Sequence, residues 1–256
     1  MRLALLAAVA FTVTTFGQNG ALETAQPPEA SFGTAVVIPG GLRGTVYLIP
    51  KDTFVLPDFA GDGIERVGEI WTDALDVSPR HWRSGFPGLT GRFEWFAIDY
   101  SGRFWIDKPG RYTFALLSDD GSRLFLDETP VIDNDCMHPS DVRIAAVQLT
   151  GGVHSLRVSY FQGPRDCLAL VLAIAGPNHH WRIFSTKEFK PPSNPDDWKF
   201  SASNSVSIVP VTPEEASLST KHLLDRLKET NPNESSNKLK SVRGCTIWPA
   251  VRTCSN

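Results

Sequence analysis

The chain is punctuated at short intervals by turn dipeptides, and the runs between them carry apolar side chains at a period of two. Ser101-Gly102, Pro109-Gly110, Asp120-Gly121 and Gly151-Gly152 each separate segments rich in β-branched and aromatic residues. Such spacing favours short strands over long helices and leaves no room for βαβ units. Strands are expected over residues 45–49, 92–100, 103–107, 111–118, 122–127, 143–149, 153–161 and 168–175. In the fourth of these Tyr112, Phe114 and Leu116 share one face, as pleating requires. In the seventh Leu156, Val158 and Tyr160 alternate with Ser155, Arg157 and Ser159. Residues 168–175 are apolar on both faces and read as a central strand. The expected fold is all-β: an antiparallel β-sandwich or barrel, with closure or packing hiding its edges.

A short α-helical extension follows this β-domain. Pro191-Pro192-Ser193-Asn194-Pro195 marks a boundary. Beyond it Thr212 is placed to cap a helix, Pro213 to open it and Glu215 to complete a capping box. Ala216, Leu223, Leu224 and Leu227 form a narrow apolar stripe, and Asn231-Pro232 ends the helix. A stripe this thin needs a surface to dock on.

The N-terminus has the pattern of a secretory signal. Arg2 supplies a positive start, residues 3–16 are apolar apart from threonines, and cleavage is expected after Gly17. The apolar run is shorter than the roughly 20 residues of a membrane-spanning helix. The expected organisation is a signal peptide over 1–17, a flexible leader over 18–33, a β-domain over 34–190, and a linker, helix and disulfide-closed tail over 191–256. The mature chain is expected without an integral membrane span, secreted, periplasmic or on the cell surface. Cys136, Cys167, Cys245 and Cys254 fit export, because an even count outside the cytoplasm implies two disulfides. Three pairings are open, and Cys136–Cys167 with Cys245–Cys254 is the one favoured. Zinc fits poorly, since no C-x-x-C spacing is present. A formal net charge of −3 offers no basic surplus for nucleic acid.

Several blocks in fixed order carry a family resemblance. They are Gly85-Phe86-Pro87-Gly88, Arg92-Phe93-Glu94-Trp95-Phe96, and Pro109-Gly110-Arg111-Tyr112-Thr113-Phe114. Then come Ser118-Asp119-Asp120-Gly121-Ser122-Arg123-Leu124-Phe125-Leu126-Asp127, residues 131–135 with His138, residues 149–154, and Val158-Ser159-Tyr160-Phe161. Residues 86–176 in this order resemble the PA-fourteen domain family, which occurs in bacterial toxins, glycosidases and fungal adhesins. The resemblance implies a β-sandwich or barrel. In the sugar-binding adhesins of that family the paired aspartates are joined by a cis peptide and hold Ca²⁺, whose coordination sugar hydroxyls complete. Asp119 and Asp120 occupy those positions. Glu128 and Cys136 stand where the family tends to have glycine.

Adjacent carboxylates repel each other, and a calcium ion taking six to eight oxygen ligands would hold them together. The plainer alternative is an Asp-Gly hairpin turn. Asn134 and Asp166 are candidate further metal ligands, Gln162 a candidate ligand-binding residue, and Trp82 and Trp181 candidate stacking platforms for a sugar. Trp95 and Trp105 read as core. His138 and His154 read as structural residues. No H-E-x-x-H, G-x-S-x-G or phosphate-binding glycine loop is present. The expected function is a non-catalytic, Ca²⁺-dependent carbohydrate-binding or adhesion module whose partners are glycans or polysaccharide. The competing expectation is a structural component of the cell envelope that docks a protein partner through its C-terminal helix and tail.

Overall fold

A computed structural model describes residues 40–61, 63–178, 180–194, 196 and 206–230. The expected signal peptide and leader, Asn231-Pro232, Cys245, Cys254 and the C-terminal tail lie outside these residues.

The described residues form two antiparallel sheets that are not closed into a barrel. The first sheet has the order β2-β1-β4-β9-β6-β7. Its strands are β1 (Leu42–Leu48), β2 (Glu65–Thr72), β4 (Phe96–Ile106), β6 (Ser122–Leu126), β7 (Thr129–Asn134) and β9 (Gly152–Gln162). The second has the order β11-β10-β5-β8-β12, with β3 also paired to β10. Its strands are β3 (Asp76–His81), β5 (Gly110–Asp119), β8 (Asp141–Leu149), β10 (Cys167–Ala175), β11 (Trp181–Ile183) and β12 (Ser207–Val209). The sandwich alternative is therefore the correct one.

The period-two pattern explains the layering. Tyr112, Phe114 and Leu116 of β5 and Leu168, Leu170, Leu172 and Ile174 of β10 face Phe96, Ile98, Leu156, Val158 and Tyr160 of the first sheet. The alternate residues Ala115, Leu117, Ala169, Val171 and Ala173 face outward, yet they are buried too. The helix α1 (Pro213–Thr230) covers them with Leu223 and Leu227. That is why residues 168–175 are apolar on both faces. Thr212 caps the helix through a bond from the Glu215 N–H to its Oγ1 at 3.2 Å. The Glu215 carboxylate forms an ion pair with Arg111 of β5, so the capping-box residue also ties the helix to the sheet.

One expected turn is not a turn. Ser101-Gly102 lies inside β4, which runs unbroken from Phe96 to Ile106. A Cβ at Gly102 would come within 2.6 Å of Leu42 Cδ2 on the neighbouring strand. The glycine serves a close approach of side chain to backbone, not a reversal of the chain.

The two departures from the family's glycines fall on left-handed backbone. Glu128 has φ of 62° and Cys136 has φ of 113°. A residue with a Cβ is strained there, which accounts for the usual glycine. His154 is fully buried, with Nδ1 2.6 Å from Asp127 Oδ2 and Nε2 3.0 Å from the Thr150 carbonyl. Its role is structural, as expected.

Two outcomes follow for stability, both read by urea denaturation. Leu223→Ala should destabilise the protein by about 2–4 kcal/mol, because it opens a cavity between helix and sheet. Glu128→Gly, at an exposed position, should stabilise it by about 1 kcal/mol through relief of the left-handed strain.

Candidate functional site

At one end of the sandwich six segments converge: the ends of β3, β5 and β9, the starts of β6 and β10, and the connection from β7 to β8. Their registers fix this. Asp119 pairs with Ala169, His81 with Cys167, Ser122 with both Tyr160 and Asn134, and Ser118 with Asp141. Asp119-Asp120-Gly121 joins β5 in one sheet to β6 in the other. It is a crossover between layers, which corrects the hairpin alternative. A Cβ at Gly121 would lie 2.5 Å from Phe161 Cε1 and 2.8 Å from the Cys136 backbone, so only glycine fits the corner. The Asp119–Asp120 peptide is cis, as the resemblance implied.

Both carboxylates are buried, each only 5% exposed. Asp119 Oδ2 accepts from Ser140 Oγ at 2.9 Å. Asp120 Oδ2 accepts from the Gly163 N–H at 2.8 Å and from Gln162 Nε2 at 3.4 Å, and the His138 backbone N–H also donates to this carboxylate. Tyr160 sits behind the pair, its hydroxyl 2.7 Å from both the Asp119 carbonyl and Gln162 Oε1. Burial pushes the Tyr160 hydroxyl well above its usual range, so it stays a donor.

Burial dominates the electrostatics. It pushes Asp119 up to about 6, opposed by the Ser140 hydrogen bond and the charge of His138. It pushes Asp120 up to about 8, with the Asp119 charge adding to the rise and the Gly163 and His138 N–H groups opposing it. The Asp166 carboxylate raises both. Among the described residues no lysine or arginine forms an ion pair with either aspartate. Two charges in a low-dielectric corner without a cation from the chain favour protonation, or an external cation.

The expected site residues separate into two groups. Asp166 is at the site: it is exposed, its carbonyl accepts from the Trp82 N–H at 2.9 Å, and its charge reaches both aspartates. Trp82 is therefore on the same rim, half-buried, with the guanidinium groups of Arg83 and Arg165 over its ring. Asn134 is a correction. Its Nδ2 donates to Ser118 Oγ and the Asp141 carbonyl, and its Oδ1 accepts from Arg143 Nε, so the amide braces strands instead of facing the corner. Gln162 is fully buried behind Asp120 and positions it, which corrects its placement as a ligand contact. Trp181 is also a correction. It pairs with Ala175 while Asp119 pairs with Ala169, which puts it about 20 Å away along β10. There it packs against the helix-covered face.

Sequence reasoning missed Ser140, Tyr160 and the backbone N–H groups of Gly163 and His138. Ser140 carries no signal. In the sequence Tyr160 shows only core periodicity. The Asp133–Asp135 cluster is consumed structurally: Arg123 pairs with Asp133 and Asp135, and Asp135 Oδ1 accepts from the Leu56 and Cys136 N–H groups. Cys136 and Cys167 are buried beside the corner, and no described cysteine is a free thiol.

The donor set suits a hard cation. Asp119 and Asp120 would offer such an ion two anionic oxygens, and the charge of Asp166 reaches the pair from the rim. Among the described residues no three acidic, cysteine or histidine side chains form a ready metal cluster. Backbone carbonyls, water or ligand hydroxyls would have to complete a shell of six to eight.

The architecture and the corner together define a β-sandwich domain with a buried aspartate pair at a sheet-to-sheet crossover. The model of the PA14 domain family, the PA-fourteen family of the resemblance, matches residues 77–181. No curated protein matches the sequence. Among solved structures, a PA14 domain of the MpAFP antifreeze protein is 14% identical, with a TM-score of 0.48 over 60% of this chain and 94% of that one. A PA14 sugar-binding domain from an RTX adhesin is 17% identical, with a TM-score of 0.47 over 58% and 96%. An anti-sigma factor domain-containing protein is 20% identical, with a TM-score of 0.46; the match covers 60% of this chain and about half, 49%, of that one.

The raised carboxyl groups set a pH dependence for the metal-free protein. An acid whose folded pKa exceeds its unfolded value of about 3.9 binds more protons when folded, so stability falls as pH rises between the two. With a chelator present, unfolding free energy should drop by on the order of a few kcal/mol between pH 4 and pH 8. Asp120→Asn should flatten the part above pH 6. A stability independent of pH over this window would show that the pair is not ionising in a buried site.

Proposed function

We propose that this chain is a secreted, non-catalytic carbohydrate-binding or adhesion module that uses Ca²⁺ at Asp119 and Asp120. The observation that carries the proposal is the burial of two adjacent carboxylates with no cationic side chain paired to them. A divalent ion offsets their repulsion and keeps coordination positions on its outer side. Vicinal sugar hydroxyls are neutral oxygen donors that match those positions. Asp119 and Asp120 would hold the ion, with Asp166 reaching it from the rim. Ser140, Gly163, Gln162 and Tyr160 orient the two aspartates. The match to the PA14 family model supports the same reading.

The alternative of an envelope component docking through its helix has lost part of its motive. The apolar stripe of α1 is already buried, with Leu223 and Leu227 against the second sheet of the same chain. Among the described residues no helix is long and apolar enough to cross a membrane.

A thermal melt tests the calcium site directly. Ligand that binds only the folded state stabilises it by about 2.7 kcal/mol at a hundredfold excess over Kd, which for a domain of this size raises Tm by several degrees. Calcium chloride should give such a shift at pH 8, and Asp119→Ala with Asp120→Ala should abolish it together with retention on a glycan array. An unchanged melt, or glycan retention that survives complete chelation, would refute calcium dependence.

A further inference from the structure

The loop from β1 to β2 exposes two neighbouring apolar residues. Phe54 is 62% exposed and Val55 52% exposed, while Leu56 and Phe59 of the same loop pack inward on Ile49, Trp95, Ala97 and Phe161. The loop therefore has a core of its own to which Phe54 does not contribute. Its backbone is nonetheless tied down around Phe54. Thr53 Oγ1 donates to the Pro50 carbonyl at 2.6 Å, and the Leu56 N–H donates to Asp135 Oδ1 at 2.7 Å. The Met137 N–H donates to the Phe54 carbonyl at 2.8 Å. The residue after Met137 is His138, whose N–H binds the Asp120 carboxylate. Met137 also borders the site, with its Cε 3.1 Å from the Cβ position of Gly163, the residue that donates to Asp120 Oδ2. Phe54 is thus one hydrogen bond and one residue removed from the group that holds Asp120.

We propose that Phe54 is the apolar wall of the site at Asp119 and Asp120 and selects pyranose units that offer a contiguous C–H face beside the metal-binding hydroxyls. The proposal rests on the glycan reading above and names the residue that gives it selectivity. An aromatic ring loses little side-chain entropy on binding, and its electron-rich face attracts the polarised C–H edge of a sugar. An exposed ring on a backbone held in place by hydrogen bonds is a ready stacking surface for a sugar bound beside it. Trp82, on the Asp166 side of the same corner, has guanidinium groups of Arg83 and Arg165 over its ring. Phe54 offers an unobstructed surface by comparison. The selection is steric and dispersive: sugars whose C–H face is broken by an axial hydroxyl lose the contact while keeping the metal bonds.

The test uses the full chain in millimolar calcium chloride on an array of neutral α- and β-hexosides, with calorimetry of calcium chloride alone as a second readout. Phe54→Ala should weaken retention on the best hexoside by about fivefold or more, and Phe54→Trp should preserve or strengthen it. Calcium affinity should stay within about twofold of wild type in both, because an exposed ring supplies no oxygen ligand. Retention unchanged in Phe54→Ala, while Asp119→Ala abolishes it, overturns the role of Phe54 and leaves the glycan reading standing. Calcium binding with no hexoside retained by the wild type overturns the glycan reading, and the role of Phe54 with it.

Discussion

Two adjacent carboxylates are buried where the chain passes from one sheet to the other, and much of the surrounding structure is arranged to tolerate them. Crossing between layers at Asp119-Asp120-Gly121 brings the ends of strands from both sheets to one corner. It also forces glycine at 121, where Phe161 and the Cys136 backbone leave no room for a Cβ. Donors from two segments then reach the pair: His138 and Ser140 from the β7–β8 connection, and Gln162 and Gly163 from the end of β9. These donors moderate the cost of burial but do not cancel it, since both carboxyl groups remain raised. A site that binds protons in the absence of metal must release them on taking up a cation, so metal affinity and pH are coupled there.

Rigidity at this corner comes from packing behind it. Tyr160 stacks on Phe86 with ring centroids 5.4 Å apart and meets Phe96 edge-on at 6.1 Å, while its hydroxyl reaches the Asp119 carbonyl. A residue of the inter-sheet core thus holds the backbone of the site. On the outer face of the first sheet, Trp95, Ala97 and Phe161 are covered by Leu56 and Phe59 from the β1–β2 loop. Changes in that loop would therefore be felt at the corner through Phe161, which also bounds Gly121.

The sandwich was legible because its core strands alternate cleanly, and the double burial of residues 168–175 was legible because both faces are apolar. The cover on the second face was legible only as a helix in need of a surface, since no sequence pattern says which surface. Asp119 and Asp120 stood out as a charged pair in a run of motif residues. Asp166 and Trp82 were legible as candidates for the same site, one as a further metal ligand and one as a stacking platform, but their positions relative to the pair were not. Asn134, Gln162 and Trp181 failed for a common reason: a polar or aromatic residue beside a loop can face the site, brace it from behind or belong to the other end, and only register decides. Ser101-Gly102 failed because glycine serves close packing as readily as a turn.

The family model matches residues 77–181, and Phe54, the proposed selectivity residue, lies outside that span. The crossover, its donors and the aromatic support behind it all come from within that span. Phe54 comes from the earlier loop, which is joined to the span by the bonds of Met137 and Asp135. A cation held by buried carboxylates is indifferent to which hydroxyls complete its shell, since any vicinal pair provides similar oxygens. Discrimination must then come from the exposed rim, where shape and apolar contact differ between sugars. Phe54 and Val55 point away from the loop's own small core, so the physical demands on them differ from those on Asp119, Asp120 and Gly121, which are buried in the corner.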